Sequence, residues 1–204
     1  MSSDQQDSAA LSLEAVRRGE TPLLWSLPDG RLLSSVKPQQ RGIVSGSFDP
    51  RHHGHEQLRD AAQRFLQGPV HFEMSLTNVE KPAMDDATVE RRCHQFHDHP
   101  LALTAAATFV EKAVLFPQTV FVVGFDTAVR IIDSRFYSND KPLHAALTTI
   151  TDQACSFLVA GRLVGERFQT LNDIDMPPAL GALFEELPAA LFREDVSSTG
   201  LREE

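Results

Sequence analysis

Cysteine is scarce in this 204-residue chain, which holds Cys93 and Cys155 alone. Two thiols cannot make a disulfide framework, so a reduced, cytoplasmic setting is expected. Long apolar runs are missing as well. None approaches the ~18 residues that a membrane span requires. The N-terminus, MSSDQQDSAA, has neither the basic start nor the apolar stretch of a secretory signal. Basic residues are in deficit, with 19 Lys and Arg against 28 Asp and Glu, a formal net charge of −9. That balance argues against a bulk nucleic-acid binder, which carries a basic face. A phosphate-bearing small molecule stays open, because a few local donors and a helix N-terminus suffice to hold it. Between positions 161 and 204 there are 4 basic and 9 acidic residues. An anion site there has to rest on individually placed groups.

Hydrophobic residues make up 42% and charged residues 23%, enough for a sizeable core. Residues 1–40 read as a lead-in whose first ten residues are polar and mobile, and residues 41–204 as the main domain. Within the lead-in, Ser12 to Arg18 suits a short helix and Pro28-Asp29-Gly30 a turn. Trp25, the single tryptophan, sits among Leu23, Leu24 and Leu27 and reads as a packing anchor. No internal repeat or low-complexity tract is present.

From Gly42 onward strands alternate with helices. Strands are expected at 42–48, 70–76, 101–103, 119–124 and 156–160. Helices are expected at 55–66, at 85 or 86 to 96, and at 105–115, 127–132 and 178–187, with a last one from Ser197. Alternation of this kind means an α/β fold: a Rossmann-like parallel sheet with helices on both faces. Such sheets bind ligands beyond the carboxyl ends of their strands.

The segment Gly46-Ser47-Phe48-Asp49-Pro50-Arg51-His52-His53-Gly54-His55 falls at a strand-to-helix junction. Gly46 and Ser47 allow close backbone approach to a ligand, and Pro50 stiffens the turn. His52 and His55 lie three apart with Gly54 between them. That spacing can bring both rings to one side of a turn that opens a helix. Two imidazoles beside helix N–H groups suit a phosphate gaining charge in a transition state. No side-chain nucleophile is required, because phosphoryl and nucleotidyl transfer run on positioning and electrostatics. At the other end of the chain, Ser197 or Ser198 can cap the final helix with Thr199 in its first turn. Their N–H and hydroxyl groups can hold phosphate oxygens. Arg202, one turn further on, can face the same anion.

These residues carry a resemblance. The first segment resembles the G-x-F-D-P-x-H-x-G-H signature of the nucleotidylyltransferase superfamily. Val196-Ser197-Ser198-Thr199-Gly200-Leu201-Arg202 resembles its Ser-Ser-Thr-x-x-Arg run. With the lead-in Phe192-Arg193-Glu194-Asp195, the chain looks most like the adenylyltransferases that build NAD from nicotinamide or nicotinate mononucleotide. The resemblance covers about residues 42–202. It implies nucleotidyl transfer from ATP to a phosphate-bearing acceptor, with His52, His55 and Arg202 catalytic and Mg²⁺ held mainly by substrate phosphates. It implies nucleotide contacts from Gly46, Ser47, Phe48, Gly54, Ser197, Ser198 and Thr199. Gly124-Phe125-Asp126 is similar to the family's nucleotide-contacting Gly-x-Asp, although Asp126 can equally be a helix N-cap. Lys81 is similar to a phosphate-contacting lysine, or is a solvated loop residue. Arg130 and Arg135 are weaker phosphate candidates, and Asp49 reads as a turn residue. Cys93, His94, His97 and His99 make an incomplete metal pattern and read as a solvated helix end. Relatives acting on pyridine mononucleotides often stack the ring on a tryptophan in the second half of the fold. That tryptophan is missing, which leaves Phe136, Tyr137 or Trp25 as stand-ins. Other acceptors and donors remain alternatives: CTP with a sugar or polyol phosphate, or ATP with a phosphopantetheine. So does an ATP-binding or hydrolytic module without transfer. Neither nucleic acid nor membrane is an expected partner. Self-association is left open.

Overall fold

The computed structural model describes residues 12–34, 40–77, 84–136 and 143–193. Six of its strands are parallel neighbours: β3 (Gly42–Ser45), β4 (Val70–Ser75), β5 (Leu101–Thr104), β6 (Val120–Gly124), β7 (Ser156–Ala160) and β10 (Phe184–Leu187). Two antiparallel strands, β1 (Leu23–Ser26) and β2 (Leu32–Leu33), extend the sheet beyond β5. The order is β10-β7-β6-β3-β4-β5-β1-β2. A separate hairpin, β8 (Arg162–Val164) and β9 (Arg167–Gln169), follows β7. This is the expected Rossmann-like α/β architecture.

Both faces of the sheet are covered, which is why its strands are nearly continuously apolar. One face takes α1 (Leu13–Arg17), α2 (His53–Leu66) and α3 (Asp86–Cys93), packed on Val44, Phe72, Met74, Leu101 and Leu103. The other takes α4 (Phe109–Leu115), α5 (Phe125–Ile132) and α6 (Leu143–Asp152), packed on Ile43, Phe121, Val123, Phe157 and Val159. Ser12, Asp85 and Thr108 each accept a hydrogen bond from a first-turn N–H and so start α1, α3 and α4. Thr108 and Glu111 form a reciprocal capping box, which delays α4 to Phe109 rather than the expected 105.

Residues 23–33, read from sequence as lead-in, are part of the sheet. Leu24 points into one core and Leu23 and Trp25 into the other, the alternation a strand imposes. Trp25 is 1% exposed, as a packing anchor should be. The helix expected at 178–187 is corrected. A 3-10 turn at Gly181–Leu183 leads into β10, which pairs with β7 from Phe184↔Phe157 to Leu187↔Ala160. Leu180, Leu183, Phe184 and Leu187 have helical spacing, but Phe184 and Leu187 enter opposite cores. Three-residue separation puts side chains on one side of a helix and on opposite sides of a strand. The final helix expected from Ser197 lies outside the described residues, as do residues 1–11.

The chain's sideways course through the sheet reverses at β3. From β3 the chain moves outward through β4 and β5, then crosses to the opposite side of β3 to lay down β6. The carboxyl ends of β3 and β6 therefore flank a topological switch point, where open α/β sheets bind ligands.

Candidate functional site

The switch point is furnished on one side by the loop between β3 and α2. Its backbone bond from Gly46 N–H to Glu73 O, at 3.0 Å, keeps the loop's start attached to β4. Phe48 then takes φ 48°, a left-handed conformation that is costly for a bulky residue. Its ring is 1% exposed and meets Phe72, Phe96 and His55 edge-on at centroid distances of 5.4, 5.1 and 5.1 Å. Burying that ring offsets the backbone cost. The side chain of Phe48, a residue expected to contact nucleotide, belongs to the core. Gly46 takes on a further role here. A Cβ at this position would stand 2.9 Å from the Phe48 ring, so the glycine is required by internal packing whether or not a ligand approaches.

The loop ends at His52, which occupies the N-cap position of α2 with extended backbone. His52 N–H donates to His55 Nδ1 at 3.2 Å, and His55 N–H donates to His52 O at 3.0 Å. The two imidazoles lie 3.8 Å apart, centroid to centroid, and are inclined by 34°. The expected pairing on one side of the helix start is thus realised. Gly54 lies buried in the first turn between them. Burial lowers both histidines from their ordinary pKa. His55 falls to about 4, chiefly by desolvation, with His52 and the Arg51 guanidinium adding to the effect. At neutral pH His55 is therefore an uncharged ring. Because its Nδ1 accepts from His52, its proton sits on Nε2, which makes that nitrogen a hydrogen-bond donor.

Residues that the linear pattern does not single out fasten this loop. Arg92, on α3, donates to Ser47 O at 2.8 Å and to Asp49 Oδ2 at 2.6 Å. Gln95 donates to Phe48 O at 3.2 Å and accepts from Arg51 N–H at 2.7 Å. The Arg51 side chain is 4% exposed, lies over the Phe72 and Phe96 rings, and forms a two-pronged pair with Asp98 at 2.6 and 3.0 Å. That hydrogen-bonded guanidinium holds the Asp98 carboxyl down at about 2. The partners are more than 40 residues apart in sequence, so no local spacing signals them. Asp49 is engaged with Arg92. Among the described residues no group of three or more His, Cys, Asp or Glu side chains is arranged to hold a metal ion.

The other side of the switch point is the junction of β6 and α5. Gly124 is the N-cap of α5 and is exposed, with nothing within 4 Å of where a Cβ would stand. Asp126 is not the N-cap. It sits in the first turn of α5 and pairs with Arg162, just past the end of β7. Arg135 is turned back onto Asp133 and is 86% exposed, while Arg130 is exposed on α5. Trp25 is sealed in the core against His71, four strands from β6, and cannot stack on a ligand here. Cys93, His94 and His97 line a separate cavity of about 440 Å³ between α3 and the β1–β2 hairpin. His99 turns to Arg59, at 2.9 Å. Lys81, Tyr137, Ser197, Ser198, Thr199 and Arg202 lie outside the described residues, as does any convergence of the 197–202 segment with the histidine loop.

Fold and site together define a Rossmann-like α/β protein with an imidazole pair at a helix N-terminus on the sheet's switch point. No protein-family model matches the sequence, and no curated protein does. No described helix is long and apolar enough to cross a membrane.

Proposed function

We propose that this protein is a nucleotidyltransferase of the adenylyl-transferring kind. It takes ATP as its magnesium complex and joins the adenylyl group to a phosphate-bearing acceptor, in the favoured form nicotinamide or nicotinate mononucleotide. An acceptor phosphate oxygen attacks the α-phosphorus in line, the bond to the bridging oxygen of the β-phosphate breaks, and pyrophosphate leaves. The observation that carries this proposal is the His52–His55 pair at the start of α2, its imidazoles 3.8 Å apart. Its Nε2–H donor on His55 and the adjacent helix N–H groups present fixed dipoles to a charge-accumulating phosphate. A neutral Nε2–H donor can hold a phosphate oxygen without any proton changing hands, so the reaction needs no proton source at this ring. Gly124, exposed at the head of α5 on the other side of the switch point, would let a nucleotide approach the backbone there, and Asp126, paired with Arg162, would accept from its hydroxyls. Under this proposal Ser198, Thr199 and Arg202 hold the β and γ phosphates and Lys81 assists them.

Pyrophosphate release, measured with ATP or CTP against a panel of phosphate-bearing acceptors, tests the assignment. Release that depends on ATP and on a mononucleotide acceptor is the expected result. Preference for CTP, or for a sugar phosphate or phosphopantetheine, would relocate the substrate and keep the reaction class. ATP binding or hydrolysis without acceptor-dependent pyrophosphate would overturn it.

A further inference from the structure

The histidine loop has a free-standing geometry problem. His52 and His55 act together only if the chain between Gly46 and His52 holds one shape, yet Ser47 and Pro50 are exposed and give that loop no apolar anchor of their own. Phe48 anchors its middle. The remainder is held by two guanidiniums from opposite directions. Arg92 reaches from α3 into the loop and binds the Ser47 carbonyl and the Asp49 carboxylate. Arg51 reaches from the loop outward and binds the Asp98 carboxylate and the Gln95 carbonyl, with Glu56 of α2 at 3.2 Å. Both guanidiniums are largely withdrawn from water, with side-chain exposures of 11% and 4%. A buried, two-pronged arginine is a rigid connector, because its planar fork fixes direction as well as distance. Arg51 is also the residue directly before the N-cap histidine, so any shift of its side chain is passed to His52 through one peptide unit.

We propose that Arg51 and Arg92 are positioning residues, a reciprocal clamp between the 46–52 loop and the 92–98 segment that sets the His52–His55 pair in its reacting geometry. This rests on the transfer activity proposed above for its kinetic consequence, but not for its structural one. Neither guanidinium needs to touch substrate, because both are already occupied by protein oxygens. Their effect runs through the histidines.

The test uses the full chain with Arg51→Met and Arg92→Met, which keep the side-chain bulk and remove the fork. Two readouts are taken together: steady-state pyrophosphate release, and the ¹⁵N imidazole spectrum of His55. The expected result is a kcat lower by about 10- to 100-fold, the scale of a small misplacement of reacting groups, with KM for ATP changed far less. In the spectrum, His55 Nδ1 should lose its unprotonated acceptor signal, as the bond from His52 N–H is released and the ring samples both tautomers. Should Arg51→Met fail to fold, Asp98→Ala removes both acceptor oxygens of the fork's partner at a solvent-accessible position and is read the same way. An unchanged Nδ1 signal overturns the clamp, whatever happens to kcat, because the effect would then not pass through the histidines. If the unaltered protein releases no pyrophosphate, the transfer activity fails while the spectrum still decides the clamp.

Discussion

The two loops that meet at the switch point are built on different principles. The β3–α2 loop carries one ring in the core, two buried arginines and a glycine whose hydrogen faces an aromatic ring. The β6–α5 junction carries an exposed glycine with empty space around it and one half-exposed ion pair, Asp126 with Arg162. Fixed dipoles help catalysis because they need no reorganisation when charge develops. Recognition of a substrate's periphery tolerates adjustment. Under the proposed transfer reaction, the clamped loop would carry the chemistry and the open one the substrate contact.

Substitutions on the two sides sharpen or break that division. The largest effect is expected for His55→Ala, with kcat down by roughly 10²-fold or more, the scale of one lost transition-state donor. Near-normal turnover in the folded variant would remove the chemistry from this loop. Gly46→Ala comes next. Its methyl would meet the buried Phe48 ring at 2.9 Å, so a loss of about 1–3 kcal/mol is expected by chemical denaturation. Acid should act through the same loop. His55 has its pKa lowered to about 4 in the folded protein against an ordinary 6.5, so the unfolded chain takes up that proton first. Stability from this group is complete above about pH 6.5 and is lost progressively as pH falls toward 4. Urea midpoints across that window check it, and His55→Gln should flatten the slope. On the open side, Asp126→Ala should change stability by less than about 1 kcal/mol, as exposed ion pairs do. Its kinetic signature should be a raised KM with kcat little altered. The smallest effect belongs to Gly124→Ala, within about 0.5 kcal/mol, since a poorer cap is balanced by a less flexible unfolded chain. A severe loss at Gly124 together with tolerance at Gly46 would invert the comparison.

Much of the scaffold is legible in the residue order. The apolar run of β6 and the small-residue turn after β3 each mark a buried strand ending at a loop. Local chemistry also marks the starts of α1 and α3 at Ser12 and Asp85. β10 reads as a helix because Leu180, Leu183, Phe184 and Leu187 have real helical spacing. That spacing is overridden because β7 offers an unpaired edge on which Phe184 and Leu187 can fill two different cores. β1 is hidden in the sequence because burial on both faces removes the alternation by which a strand is recognised. At the site, the histidine spacing is readable since three residues is a helical contact distance. The side chain of Phe48 is not, because its place in the motif says nothing about where its ring points.

Residue order alone determined that a strand would run into a glycine-containing turn and a helix headed by two histidines, because those preferences are settled within a few residues. It also settled the parallel sheet, since alternating strands and helices leave few other ways to bury both. Only the tertiary structure decided that β3 and β6 would be neighbours, that Arg92 and Asp98 would reach the loop from more than 40 residues away, and that His55 would be partly withdrawn from water, which lowers its pKa. Burial and long-range charge pairing depend on what the fold brings close, and separation along the chain carries no record of it.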